Sequence, residues 1–220
     1  MSTIQSTGPD TQDMVIVHRV FRREFHLLPD LISRVAEGNT ERAAVVAEHL
    51  TDLTSGLHHH HEGEDDLLWP LLLERATLQT DLVHRMESQH AALSAALDQI
   101  GKLTPTWVAT ANAAGRDELA KAVRQASVIL DEHMGEEEQE ILPLVRKHLT
   151  VEQWSKLGKR GAETFQDKRK RMIFLGALLE ETSPEEERTF LSNLPAPIRA
   201  LWKVLGRRQY AAYIRLVRAA

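Results

Sequence analysis

Two stretches of the chain carry the same skeleton 73 residues apart: HHHHEGEDDLLWPLL at 58–72 and DEHMGEEEQEILPLV at 131–145. His60 precedes Glu64 by four positions, and His133 precedes Glu137 by four. Pro70 follows Glu64 by six, and Pro143 follows Glu137 by six. Residues i and i+4 share one face of an α-helix, so each copy presents an imidazole and a carboxylate together. Leu68 and Trp69 follow the first carboxylate in the register in which Ile141 and Leu142 follow the second, which a solvated helix face does not explain. A carboxylate buried beside such residues without a positive partner is costly.

The rest of the pattern is helical and short-looped. Val17, Val20, Phe21, Phe25 and Leu28 recur at helical spacing. Helices are expected over about 11–37, 41–75, 79–100 and 116–148. Pro29 is expected to bend or shorten the first, Thr40 to cap the second, and GKLTP at 101–105 to end the third, leaving 105–115 as loop or short helix. Four long helices with short joins make an all-α, up-down four-helix bundle. Two of them carry lone histidines, His18 in VHRVFRREF and His90 in QHAALSAAL. Each half of the bundle thus offers one lone His and one His-x-x-x-Glu, and bundle di-iron sites are built from such side chains on facing helices.

Composition narrows the chemistry. The chain has 220 residues and no cysteine, which removes disulfides, thiolate sites and iron–sulfur clusters. Any metal must be held by His and carboxylate, a set that does not by itself separate iron from manganese or zinc. There is no glycine-rich phosphate loop, no long apolar run, and no basic-then-apolar leader in the first residues, which read as a frayed lead-in. A cytoplasmic location with no membrane contact is expected.

Charge divides the chain. Residues 1–150 hold 13 Lys+Arg against 24 Asp+Glu and all 11 histidines; residues 151–220 hold 14 against 8. The expected organisation is a metal-binding bundle over 11–150 and a basic helical C-terminal extension over 151–220, packed on the bundle as short amphipathic helices. Ser183-Pro184-Glu185-Glu186 has the form of a helix start. A last helix is expected to hold Leu201 through Val217. Lys168–Arg171 and Arg207-Arg208 are small basic clusters, but no DNA-reading motif accompanies them and the acidic bundle would repel phosphate, so a nucleic-acid partner is not expected. A protein partner could use the basic extension.

Together these residues resemble the hemerythrin-like HHE cation-binding family over about residues 13–148. The resemblance rests on His18, on HHEGE at 60–64 ahead of LLWP, on Gln89-His90, and on His133-x-x-x-Glu137 ahead of ILP. It implies a four-helix bundle holding two non-haem irons, oxo- or hydroxo-bridged. Glu64 and Glu137 would be the bridging carboxylates, with His18 and His60 on one iron and His90 and His133 on the other. Oxygen-carrying hemerythrins have a further His one turn before the position of His90, where this chain has Met86, and a His-x-x-x-x-Asp in the last helix. Both departures point away from a simple oxygen carrier and toward bacterial branches, including mycobacterial hemerythrin-like proteins with a C-terminal extension.

The implied ligands are O₂, hydrogen peroxide or NO. The enzymatic reading is catalase-like peroxide decomposition in oxidative or nitrosative stress; the other is a non-enzymatic sensor of oxygen, NO or iron, signalling through the C-terminal region. Iron storage or a purely structural metal is a third, and a sealed site with no cavity beside the metals would favour the structural version. His58-x-x-x-Glu62 is the competing register for the first pair. His59 and His61 flank His60 and are assigned to an outer shell or the surface. His84 lies off the face of His90. His26, His49 and His148 read as ordinary histidines, and Glu24, Glu87 and Glu136 as surface charge, although one of these carboxylates could complete an iron shell. Trp69 and Met86 fit either core packing or the wall of a small-ligand pocket.

Overall fold

A computed structural model of the chain describes residues 8–219; the expected frayed lead-in falls mostly outside them. Four long helices form the bundle: α1 (Gln12–Ser33), α2 (Thr40–Leu67), α4 (Thr80–Thr110) and α5 (Ala113–Glu136). The short α3 (Trp69–Arg75) and α6 (Leu142–His148) extend α2 and α5, and no strand occurs among the described residues. Two apolar clusters fill the interior. One holds Phe21, Leu57, Leu93 and Leu130; the other holds Met14, Leu68, Met86 and Ile141. Helices α1 and α4 run from the second cluster to the first, and α2 and α5 run from the first to the second, which their continuations at Leu68 and Ile141 enter, so the direction alternates from helix to helix. That is the up-down arrangement, and it leaves a polar layer between the two clusters.

The two matched prolines act alike. Pro70 and Pro143 sit at the starts of α3 and α6. Proline has no N–H to donate and its ring crowds the carbonyl four residues back. In the first copy α2 stops at Leu67; in the second the backbone widens into a π-helical turn over Glu137–Ile141. Such turns insert a residue into a helix and often accompany functional sites.

Local expectations fail where packing outweighs propensity. Asn39, not Thr40, caps α2, accepting from the Arg42 N–H. Helix α1 runs through Pro29 and stops at Ser33, short of 37, with Leu28, Leu31 and Ile32 buried around the proline. Helix α4 does not break at GKLTP: it passes Pro105 and runs to Thr110, where Ala111 caps it with a φ of 45°. Ile100, Thr104, Trp107 and Ala111 continue its buried face, and Thr104 Oγ1 donates to the Ile100 carbonyl at 2.7 Å. The buried indole and its neighbours hold together a turn that proline weakens.

Beyond the bundle lie α7 (Val151–Ala162), α8 (Lys168–Glu180), α9 (Pro184–Asn193), α10 (Ala196–Leu201) and α11 (Arg207–Val217). Ser183 and Glu186 form the capping box of α9. The expected single last helix is instead α10 and α11, joined by a π-helical turn over Trp202–Gly206. Helix α8 packs Ala177 and Leu178 on Ile16 and Val20 of α1. A Cβ on Gly176 would stand 2.3 Å from the Tyr210 ring, so the approach of α8 to α11 requires glycine there. Some ion pairs run as the charge asymmetry implies: Lys170 to Asp52 at 2.6 Å, Arg160 to Asp66 at 3.3 Å. Others run the opposite way, with Arg19 on Glu186 at 3.1 Å and Arg23 on Glu181.

Glu24 is the buried anchor of the C-terminal helix. It is not a surface charge: its carboxylate is 1% exposed and meets Arg23 at 2.7 Å, Arg218 at 3.0 Å and His49 Nε2 at 3.1 Å. Tyr213 holds the other nitrogen of His49 at 2.9 Å. Burial alone would raise the Glu24 pKa, but His49 and the two guanidiniums bring it down to about 2. A carboxyl depressed in the folded state contributes stability above its unfolded pKa of about 4.5 and loses that contribution as pH falls toward 2. Glu24→Gln is therefore expected to cost on the order of 3 kcal/mol at neutral pH. The deficit relative to the parent should shrink between pH 4.5 and 2. Denaturant melts at several pH values measure it, and a pH-independent deficit would contradict the assignment.

Candidate metal centre

The polar layer gathers all six side chains singled out by the repeat. His18 comes from α1, His60 and Glu64 from α2, His90 from α4, His133 from α5, and Glu137 from the π-helical turn. Glu64, Glu137, His18 and His133 are fully buried. Each carboxylate meets one histidine from each half of the repeat. Glu64 lies 3.2 Å from His60 Nε2 and 3.4 Å from His90 Nε2. Glu137 lies 3.2 Å from His18 Nε2 and 3.8 Å from His133 Nε2.

His61 corrects the sequence reading. It is 5% exposed, its ring stacks on His90 at 4.2 Å, and it stands edge-on to His133 at 5.1 Å. His61, Glu64, His90 and His133 form one group of converging donors, and His18, His60 and Glu64 form a second, with Glu64 common to both. The missed signal was the stripe Leu50, Leu53, Leu57, His61, Glu64, Leu68, which is buried throughout. His61 continues an apolar seam at spacings of three or four, whereas His60 sits at its edge. The competing pair His58 and Glu62 is solvent-facing, with side chains 57% and 47% exposed. His59 is half-buried and its Nε2–H donates to the Arg160 carbonyl of α7 at 3.2 Å. His84 is exposed and paired with Glu87, as its position off the His90 face implies.

Outer partners aim the rings. His18 Nδ1 lies 2.9 Å from Glu138, which Arg22 holds at 2.7 Å. His90 Nδ1 lies 2.7 Å from Asp65, which also accepts from Trp69 Nε1 at 2.8 Å. His133 Nδ1 donates to the Gln89 side-chain oxygen at 3.1 Å; Gln89 in turn donates to Glu136, and Arg85 pairs with Glu136. A histidine whose Nδ1–H is engaged in this way offers a neutral Nε2 inward. Trp69 thus has a positioning contact as well as a packing one, and Met86 is fully buried in the cluster beside the site.

The inward atoms have no one to bond. His18 Nε2, His60 Nε2, His61 Nε2 and all four oxygens of Glu64 and Glu137 lack hydrogen-bond partners. Buried polar atoms are normally satisfied, and an orphaned group is costly. Burial, then the neighbouring Glu137 charge, pushes the Glu64 carboxyl up to about 8. Burial opposes ionisation of Glu137 too, but His18 beside it holds it down to about 2. Burial and the neighbouring His18 lower His60 to about 3. Burial opposes protonation of His18 as well, but the Glu137 and Glu138 carboxylates raise it to about 9, and Glu64 and Asp65 raise His90 in the same way. A cation would take the place of those protons, and imidazoles with two carboxylates are a donor set for divalent or trivalent cations, so these residues fit such a group.

A hemerythrin HHE cation-binding domain model matches residues 10–145. The chain belongs to the hemerythrin HHE cation-binding family. No curated protein and no solved structure gives a significant match. Hemerythrin-like domains bind metal, typically iron, and small ligands such as O₂, and the buried His/Glu group here could hold it. Among the described residues no helix is long and apolar enough to cross a membrane.

His61→Ala is expected to lower the metal bound per chain by about half or more, since it removes an inward donor. His58→Ala should leave it unchanged. Metal analysis of both purified variants decides the point, and equal losses would return His61 to a packing role.

Proposed function

We propose that the chain is a non-haem di-iron protein that binds or reacts with O₂, peroxide or NO. The observation that carries this reading is the pair of buried carboxylates, each set between one histidine from either half of the repeat, with seven inward atoms unsatisfied. His18 and His60 would hold one iron; His90, His133 and His61 would hold the other; Glu64 and Glu137 would bridge them. His61 supplies an imidazole to the His90 side, where the resemblance finds Met86 in place of histidine. The iron pair, when bound, supplies electrons to a dioxygen-level ligand or exchanges them with peroxide. The chain's own part is to fix the rings through Glu138, Asp65 and Gln89, to exclude bulk water, and to leave one edge open. That edge is His60, 13% exposed toward a cavity. A cavity beside the centre argues against a sealed structural metal and for a reactive or ligand-binding role, of which peroxide decomposition is the enzymatic form.

A sensor is the second reading, and one contact favours it. Helix α7 lies on the histidine-bearing turn of α2, with His59 bonded to Arg160 and Leu157 Cδ1 3.1 Å from where a Gly63 Cβ would be. A change at the centre would then reach the extension through α2.

Aerobically purified protein is expected to carry about two irons per chain with oxo-bridge absorption that peroxide perturbs. Zinc, or no metal with a fold indifferent to chelator, would overturn the reading. Oxygen evolution on adding peroxide separates catalysis from reversible binding. Glu64→Gln should abolish metal uptake yet make the chelated protein more stable, by on the order of 1–3 kcal/mol, because it removes a buried acid opposite another. A chelated variant less stable than the parent would mean that Glu64 serves the fold.

A further inference from the structure

Between the extension and the bundle lies a cavity of about 340 Å³. That is within the range of pockets that take small organic ligands, about 300–1,000 Å³. Its lining is largely apolar, contributed by Phe21 of α1, Trp154 of α7, and Phe174 and Leu175 of α8. It reaches the metal layer at one residue, His60, whose ring lies 5.6 Å from Phe21. Helix α7 faces it with Gly158, Gly161 and Ala162. A Cβ on Gly158 or Gly161 would meet nothing within 4 Å, unlike one on Gly63 or Gly176. Those two glycines are exposed and not demanded by close packing, and they lie at the cavity's solvent side.

Two charged groups line the cavity, and they differ. The Asp13 carboxylate is engaged, accepting from Trp154 Nε1 at 3.1 Å and from the Met14 N–H at 3.0 Å. Arg171 is exposed, and its guanidinium contacts only the Gln166 carbonyl, at 3.0 Å; no carboxylate among the described residues pairs with it. The remaining donors of that guanidinium match an anionic head at the solvent side of an apolar space.

We propose that this cavity binds an amphipathic monocarboxylate, its carboxylate on Arg171 and its apolar body running inward between α1, α7 and α8 toward His60. The extension is thereby a binding element that brings an organic molecule to the open edge of the centre. The binding needs no metal; its bearing on chemistry at the centre rests on the di-iron reading above.

Isothermal titration of the full chain with decanoate tests it, run on iron-loaded and on chelated protein, with 1-decanol as the neutral control. One decanoate per chain is expected in both forms, with decanol at least about tenfold weaker. Arg171→Gln, an exposed change, should weaken decanoate about tenfold, and Arg124→Gln should not. Gly158→Leu and Gly161→Val should remove measurable binding while helix content and melting temperature hold, since both replace helical glycine and fill space. No decanoate binding to a protein with its full iron complement overturns the pocket and leaves the metal reading standing. Binding to a protein that takes up no iron supports the pocket while the metal reading fails on its own test. Decanol as tight as decanoate, or unchanged binding in both glycine variants, overturns the proposal.

Discussion

Two buried carboxylates in one layer set the terms for the whole molecule. Glu64 and Glu137 have no exposed surface and no hydrogen-bond partner for any of their four oxygens. Carboxylates in such a place repel each other and cannot both ionise cheaply. Apolar burial in the two flanking clusters must hold the layer in place, since the layer contributes little cohesion of its own. This explains why the bundle interior is divided, with Phe21, Leu57, Leu93 and Leu130 on one side and Met14, Leu68, Met86 and Ile141 on the other. It also explains the outer bonds from Glu138, Asp65 and Gln89. The His18–Glu137 contact inside the layer orients one ring, and the outer bonds fix His18, His90 and His133 from the other side.

The repeat was legible because it is built from i,i+4 pairs and a proline at a fixed distance, features that a helix converts directly into geometry. Five of the six candidates it named fall in the two converging donor groups, and the sixth, Glu137, stands beside them against His18 and His133. What was not legible depended on rotation. Four consecutive histidines cover all sides of a helix, and the choice among them follows from the seam Leu50–Leu53–Leu57, which extends to His61. Once that seam is followed, His58 is excluded and both His60 and His61 enter. The passage of α4 through Pro105 was likewise hidden, because the penalty of proline is local while the burial of Ile100 and Trp107 that offsets it is tertiary.

Glu24 shows the limit of reading charges from composition. In the sequence it is one of many acids in an acidic half, and the extension is simply basic. In the structure the join between the two is a network of both signs, in which Arg23 and Arg218 converge on Glu24 while Glu180 binds Arg218 and approaches Arg23. Net charge per region gives no register; register comes from individual buried pairs. Among the described residues, only Lys170 of the Lys168–Arg171 run makes an ion pair, with Asp52.

The extension therefore makes two kinds of contact with the bundle. At α11 it is fastened by buried charge and by Val217, which joins the main apolar cluster. At α7 and α8 it stands over α1 and α2 and leaves a cleft rather than filling it, with exposed glycines where larger residues would fit. A segment needed only for stability would gain by closing that space, since each buried methylene contributes about 0.8 kcal/mol. The open volume lies at the His60 edge of the histidine layer. The fastening at α11 permits that arrangement: a lid secured elsewhere can leave room where the centre meets it.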